Sequence, residues 1–249
     1  MQAASLHSLP WHQTSRWLST LEFVVGAAIV IGHNVYRKLP NEVPILFLLG
    51  LLSLTIREGE LAAGLKAADS ALRATLAAMG QGMRAIGFRR PASWPRIVLM
   101  ALGAAALRIL LGNFVIEPLT GRFWPPAKAP AGASDIPGHP WIALAALVFV
   151  WAFAAFGEEI GYRGYLLTRA ADVGGRSTAA YWIAMVLVSV LFGYGHYYKG
   201  PAGIVDSGFA GLILGTAYLL SGRNLWVSVL GHGFIDSFAV IVVYLGWNS

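Results

Sequence analysis

The sequence predicts an all-α polytopic membrane protein, a transmembrane helical bundle of about seven spans with an interfacial amphipathic helix, and three observations carry the prediction. Of the 249 residues, 57% are hydrophobic and only 12% are charged, roughly half the ~25% charge of soluble chains. The apolar residues fall into runs suited to a hydrocarbon core about 30 Å thick, which takes roughly 20 residues of helix to cross. The net charge of +6 comes from 18 Lys and Arg spread through the chain rather than clustered, the pattern of residues that flank spans. Such a composition excludes a water-soluble globule, a disordered tail protein and a nucleic-acid binder. With no cysteine, disulfides, a zinc–thiolate site and a cysteine nucleophile are excluded as well.

The first span is placed at 17–36. Arg16 and the apolar run from Trp17 to Ile31 have the start of a signal peptide, but no small-x-small cleavage site before a soluble region follows, so the run reads as a retained span. The second, 42–57, is short and carries Pro44. Leu61, Leu65, Ala68, Leu72, Leu76, Met79, Met83 and Ile86 then recur at steps of three and four, with Lys66, Asp69, Arg73 and Arg84 off the stripe. That periodicity predicts an amphipathic helix on the membrane surface, ending near Gly87 before Phe88-Arg89-Arg90-Pro91 and Pro95. Further spans follow at 96–119, 141–167, 178–197, 202–220 and 224–246, with a Pro/Ala linker from Trp124 to Ala133 after the third. There is no internal repeat; residues 1–140 hold the N-terminal spans and surface helix, and 141–249 a polar membrane core.

Basic residues set the orientation. With a cytoplasmic N-terminus and seven spans, twelve fall inside (Arg16, Arg57, Lys66, Arg73, Arg84, Arg89, Arg90, Arg96, Arg163, Arg169, Arg176, Arg223) and five outside (Arg37, Lys38, Arg122, Lys128, Lys199). The bias favours a plasma (inner) membrane protein with its N-terminus inside and C-terminus outside.

A charged side chain at the centre of a span costs about 2.5–3.5 kcal/mol on insertion scales, so those present usually face a polar cavity. Here they gather late in the chain: Phe156-Gly157-Glu158-Glu159-Ile160-Gly161-Tyr162-Arg163-Gly164, Phe192-Gly193-Tyr194-Gly195-His196 and Gly231-His232-Gly233-Phe234-Ile235-Asp236. Glu159 and Arg163 stand four apart and can pair, whereas Glu158 points about 100° away and is left free. His232 and Asp236 also share a face, and His196 is a third group that could converge with them. The flanking Gly157, Gly161, Gly195, Gly231 and Gly233 allow close helix approach around a pocket. Glu158 and His196 lie late in antiparallel spans, so they meet only if the fourth span continues to about Arg169.

Glu-Glu-x-x-x-Arg (Glu158, Glu159, Arg163), Phe-x-x-x-His (Phe192, His196) and His-x-x-x-Asn/Asp (His232, Asp236), in order on successive spans, resemble the CAAX protease and bacteriocin-processing (CPBP) family of intramembrane endopeptidases, the type II CAAX prenyl protease group. The resemblance covers about 141–246. It implies that Glu158 and His196 activate a water, that His232 and Asp236 stabilise the oxyanion, that Glu159, Arg163 and Phe192 support them, and that the substrate is a membrane-associated peptide or protein. The prenyl proteases carry Asn at the position of Asp236.

Other readings of the same residues stay open. Glu158, His196, His232 and Asp236 are also a donor set for a divalent metal such as zinc, although no His-Glu-x-x-His helix is present. The fold could serve a non-catalytic scaffold or self-immunity factor, or a proton-coupled transporter, which more often shows broken helices in both halves. Arg108, Glu117 and Asp206 read as pairing or cavity residues, and His7, His12, His33 and His139 as solvated.

Overall fold

In a computed structural model, which describes residues 15–59, 61–67 and 70–247, the described residues form nine helices and no strand. Helix α1 (Arg16–Asn34) starts at Ser15, whose side chain accepts from the Leu18 amide, and α2 (Glu42–Arg57) at Asn41, which accepts from the Val43 amide. These caps satisfy donors that a helix start leaves unpaired. Then come α3 (Leu61–Ala67), α4 (Ala71–Ala85), α5 (Trp94–Thr120), α6 (Pro140–Val173), α7 (Thr178–Gly195), α8 (Gly200–Leu220) and α9 (Leu225–Tyr244). Six of them, α1 and α5 to α9, are long and apolar enough to cross a membrane, and the chain is an integral membrane protein.

Helix α2 accounts for the difference from seven full spans. Its 16 residues extend only about 24 Å, less than a ~30 Å hydrocarbon core. It lies along the second half of α6 in the same direction, with Val43 against Gly157, Leu46 against Gly161, and Gly50 against Tyr165. A Cβ at Gly157 would stand 2.9 Å from Val43 Cγ1, and one at Gly161 3.2 Å from Leu46 Cβ. The glycines beside the Glu-Glu motif therefore admit α2 rather than a lipid tail.

The amphipathic segment is two helices rather than one. It breaks before Ser70, which caps α4 by accepting from the Arg73 amide; Ala68 and Asp69 lie outside the described residues. The buried face of α4 is Ala74, Ala78 and Gly82, while Leu72 and Leu76 are 68% and 53% exposed. Small residues at steps of four let α4 lie on α2, where Gly82 meets the Leu54 backbone, and the leucine stripe turns outward as an interfacial helix turns it to lipid. The chain leaves α4 at Gly87, whose φ of 91° suits only glycine without strain.

Helix α6 runs unbroken past Arg169 to Val173 and is π-helical from Val150 to Leu166; π segments occur frequently at functional sites. That length meets the depth condition. Glu158 lies 15 residues before Val173 and His196 18 residues after Thr178, on either side of the turn that joins the two helices.

At the end of the bundle where that turn lies, Arg57, Arg169 and Arg176 interleave with Glu22, Glu58 and Asp172. Arg169 is fully buried and reaches Glu22 (3.0 Å), Glu58 (3.1 Å) and Asp172 (2.8 Å), while Arg57 reaches Glu22 (3.0 Å). The cluster ties α1 and α2 to the C-terminal end of α6. Sidedness follows from connectivity, because α5 separates the α3–α4 segment from the linker after it. Single cysteines at Ser70 and Ser134, in a chain without native cysteine, are expected to react with impermeant maleimide from opposite membrane sides; labelling of both from one side would contradict this topology.

Candidate active site

Helices α6, α7 and α9 bring the three motifs together, and each supplies one layer of contacts. On α6, Glu159 is completely buried and its Oε1 accepts from Arg163 Nη1 (2.9 Å) and from His232 Nδ1 (2.7 Å). A buried carboxylate needs such partners, since an unpaired buried charge is costly. Arg163, 2% exposed, also donates to the Gly211 carbonyl on α8 (3.3 Å) and lies over the Phe192 ring, 4.4 Å from its centroid. Phe192 meets Tyr162 and His232 edge-on, at centroid separations of 5.0 Å and 5.9 Å. It is thus the wall on which the Arg163 cation and the His232 ring are both set.

Glu158, one residue before Glu159, is arranged differently. Its Oε2 is buried and, among the described residues, accepts no hydrogen bond. His232, Asp236, Glu159 and Glu42 lie within its electrostatic reach. Glu159 Oε2 is likewise buried without a hydrogen bond, so the two adjacent carboxylates differ at Oε1, through which Glu159 alone is tied into the frame.

The histidines have defined tautomers. His196 Nδ1 stands 2.9 Å from the Phe192 carbonyl; a carbonyl can only accept, so Nδ1 carries the hydrogen and Nε2 of the neutral ring presents a lone pair. His232 gives its Nδ1–H to Glu159, and its Nε2 faces Asp236 Oδ2 at 3.6 Å. The Nδ1 contacts leave Nε2 of each ring as its remaining ligand atom, and among the described residues no three His, Asp or Glu side chains are close enough together to hold a metal ion.

The Glu159–His232 contact was not legible in the sequence, since 73 residues separate the partners. Glu42 was missed too. It is 5% exposed, at the start of α2, and its signal was a carboxylate opening an apolar run. His33, read as solvated, instead faces Glu42 Oε2 at 3.5 Å and has a side chain 27% exposed. Arg108 and Asp206 pair at 2.5 Å, as their types suggested, whereas Glu117 and His139 are exposed; His7 and His12 lie outside the described residues. Lys199, between α7 and α8, has Asp236, Asp206 and Glu158 within its electrostatic reach.

Residues 140–238 match the family described as type II CAAX prenyl endopeptidase Rce1-like. The match begins with α6 and takes in all three motifs, in agreement with the resemblance they carry. No curated protein and no solved structure matches the chain.

Proposed function

We propose, on the premise that residues 140–238 are those of a type II CAAX prenyl endopeptidase-like protein, that the chain hydrolyses a peptide bond of a membrane-associated protein or peptide with a water activated by Glu158 and His196. The observation that carries this reading is the division of labour between neighbouring carboxylates: each keeps a buried Oε2 without a hydrogen bond among the described residues, but Glu159 is held through Oε1 by Arg163 and His232, whereas no described side chain donates to Glu158. A base must have a free lone pair within reach of the proton it takes.

In the proposed sequence of events Glu158 takes a proton from water as the oxygen attacks the scissile carbonyl, and the Nε2 lone pair of His196 accepts the second water hydrogen and orients the attack. Protonated on both nitrogens, His232 keeps Nδ1–H on Glu159 and offers Nε2–H to the oxyanion, with Asp236 as a second donor when protonated. Glu158 then returns its proton to the leaving amine, so one water is consumed and the site is restored. Arg163 and Phe192 fix Glu159 and His232. Residues 141–249 form the catalytic core and 1–140 its membrane scaffold, in a plasma (inner) membrane with the N-terminus cytoplasmic, as the twelve-to-five basic asymmetry supports.

Reconstituted into phosphatidylcholine vesicles with a palmitoylated peptide library, the protein is expected to release fragments with new carboxyl termini; an intact library would overturn the reading. Asp236 refines it. Asn donates a hydrogen bond through its amide, so Asp236→Asn is expected to keep activity, whereas Asp236→Leu should lose about 10²- to 10³-fold, the worth of one oxyanion donor. An Asn variant as inactive as the Leu variant would remove the donor role.

A further inference from the structure

We propose that Glu42 is an acidic subsite of this candidate site that binds a positively charged group of the substrate, a Lys or Arg side chain or a free ammonium, beside the scissile bond; the inference rests on the hydrolytic reading above. Glu42 lies outside the matched residues 140–238, on the helix that Gly157 and Gly161 admit beside the Glu-Glu motif. Its Oε1 stands 3.6 Å from the point where a Cβ on Gly195 would lie, with the Tyr162 hydroxyl 2.7 Å from the same point. Glu42 is thus next to the residue that precedes His196, and Glu158, Tyr162 and Tyr198 all lie within its electrostatic reach.

The carboxylate is left incomplete by its surroundings. Glu42 is 5% exposed, and its Oε2 is buried without a hydrogen bond from any described residue. The nearest charge-capable group is His33, 3.5 Å away, whose Nδ1 gives its hydrogen to the Leu39 carbonyl at 2.9 Å. His33 Nε2 stands 3.5 Å from Glu42 Oε2 without a hydrogen bond between them. A cation bound at Oε2 would satisfy it, and beside the Tyr162 hydroxyl, in a buried setting, the attraction is stronger than in water. Arg163 is not available for this, since it is spent on Glu159 and Gly211. His33 is partly exposed, which leaves an opening on the Glu42 side of the site.

The test uses full-length protein in phosphatidylcholine vesicles and palmitoylated peptides in which one residue near the cleavage point is Lys, norleucine or Glu. Wild type is expected to favour Lys over norleucine about tenfold in kcat/KM, the scale of one charge-assisted contact, and to disfavour Glu. In Glu42→Gln that ratio should fall to about one, and Glu42→Asp should restore part of it. A ratio that survives in Glu42→Gln, or an equal loss for all three peptides, overturns the proposal, the latter because a structural role alone would not discriminate charge. If wild type cleaves no peptide, binding of the Lys and norleucine peptides to Glu158→Gln and to the Glu158→Gln/Glu42→Gln double variant separates the two claims. Charge-selective binding lost only in the double variant keeps the subsite and sets aside hydrolysis; binding without charge selectivity sets aside the subsite.

Discussion

Glu158→Gln is expected to lower kcat by about 10²- to 10⁴-fold, the contribution of a positioned general base, while leaving the folded protein intact. Gln keeps the shape of the side chain and loses only the proton-accepting oxygen. Because Oε2 of Glu158 accepts no hydrogen bond among the described residues, the exchange breaks no contact that holds the bundle. The neighbouring substitution separates chemistry from architecture. Glu159→Gln weakens the anchor of two partners, Arg163 and His232, and leaves a buried guanidinium without its counter-charge, so folded yield and thermal midpoint should fall together with activity. Paired measurements of peptide cleavage in vesicles and thermal unfolding in detergent distinguish the two variants. Cleavage by Glu158→Gln within tenfold of wild type would contradict its role as base.

Arg169→Ala is expected to cost the fold about 3–5 kcal/mol, the usual consequence of removing one partner from a buried ion pair. Arg169 is fully buried and touches Glu22, Glu58 and Asp172; without it, α1 and α2 meet the end of α6 through surplus negative charge. The loss of the α2 seat would also displace Glu42, so the effect should reach the candidate site from the far end of the bundle. The same cluster predicts acid sensitivity. Burial pushes the Glu58 carboxyl up, but the hydrogen bond and charge of Arg176 outweigh it, with further help from Arg169, and hold the carboxyl below its ordinary value. A depressed carboxylate contributes stability above its unfolded pKa and loses it as pH falls through the folded one. The difference in thermal midpoint between wild type and Glu58→Gln should therefore be largest near neutrality and close below about pH 4, the ordinary glutamate range. A difference that is constant with pH would show that Glu58 acts through packing alone.

Much of the fold was legible because membrane insertion imposes a simple code of long apolar runs, with a stop at Gly87; the cap at Ser70 that divides the amphipathic segment was not read, because the apolar periodicity runs through it. The boundary errors have physical causes. The segment 42–57 has span-like hydropathy, but its length decides how far it reaches, and its glycine and small-residue contacts with α6 and α4 depend on helices distant in sequence. The outward stripe of α4 was readable by periodicity, whereas the burial of Ala74, Ala78 and Gly82 was not, since small residues weigh little in any hydrophobic pattern. Of the candidate site, the local pair Glu159–Arg163 followed from helical spacing. The Glu159–His232 bond, the Glu42 carboxylate and the Arg169 cluster each join residues from separate helices, and spacing along one helix carries no information about them.

The most direct test of Glu158-dependent hydrolysis compares polypeptide termini in membranes from cells making wild-type protein or Glu158→Gln at equal folded levels. The prediction is a set of new amino termini, from membrane-associated proteins, present with wild type and absent with the variant. Identical termini in the two membranes, with both proteins folded and inserted, would contradict it.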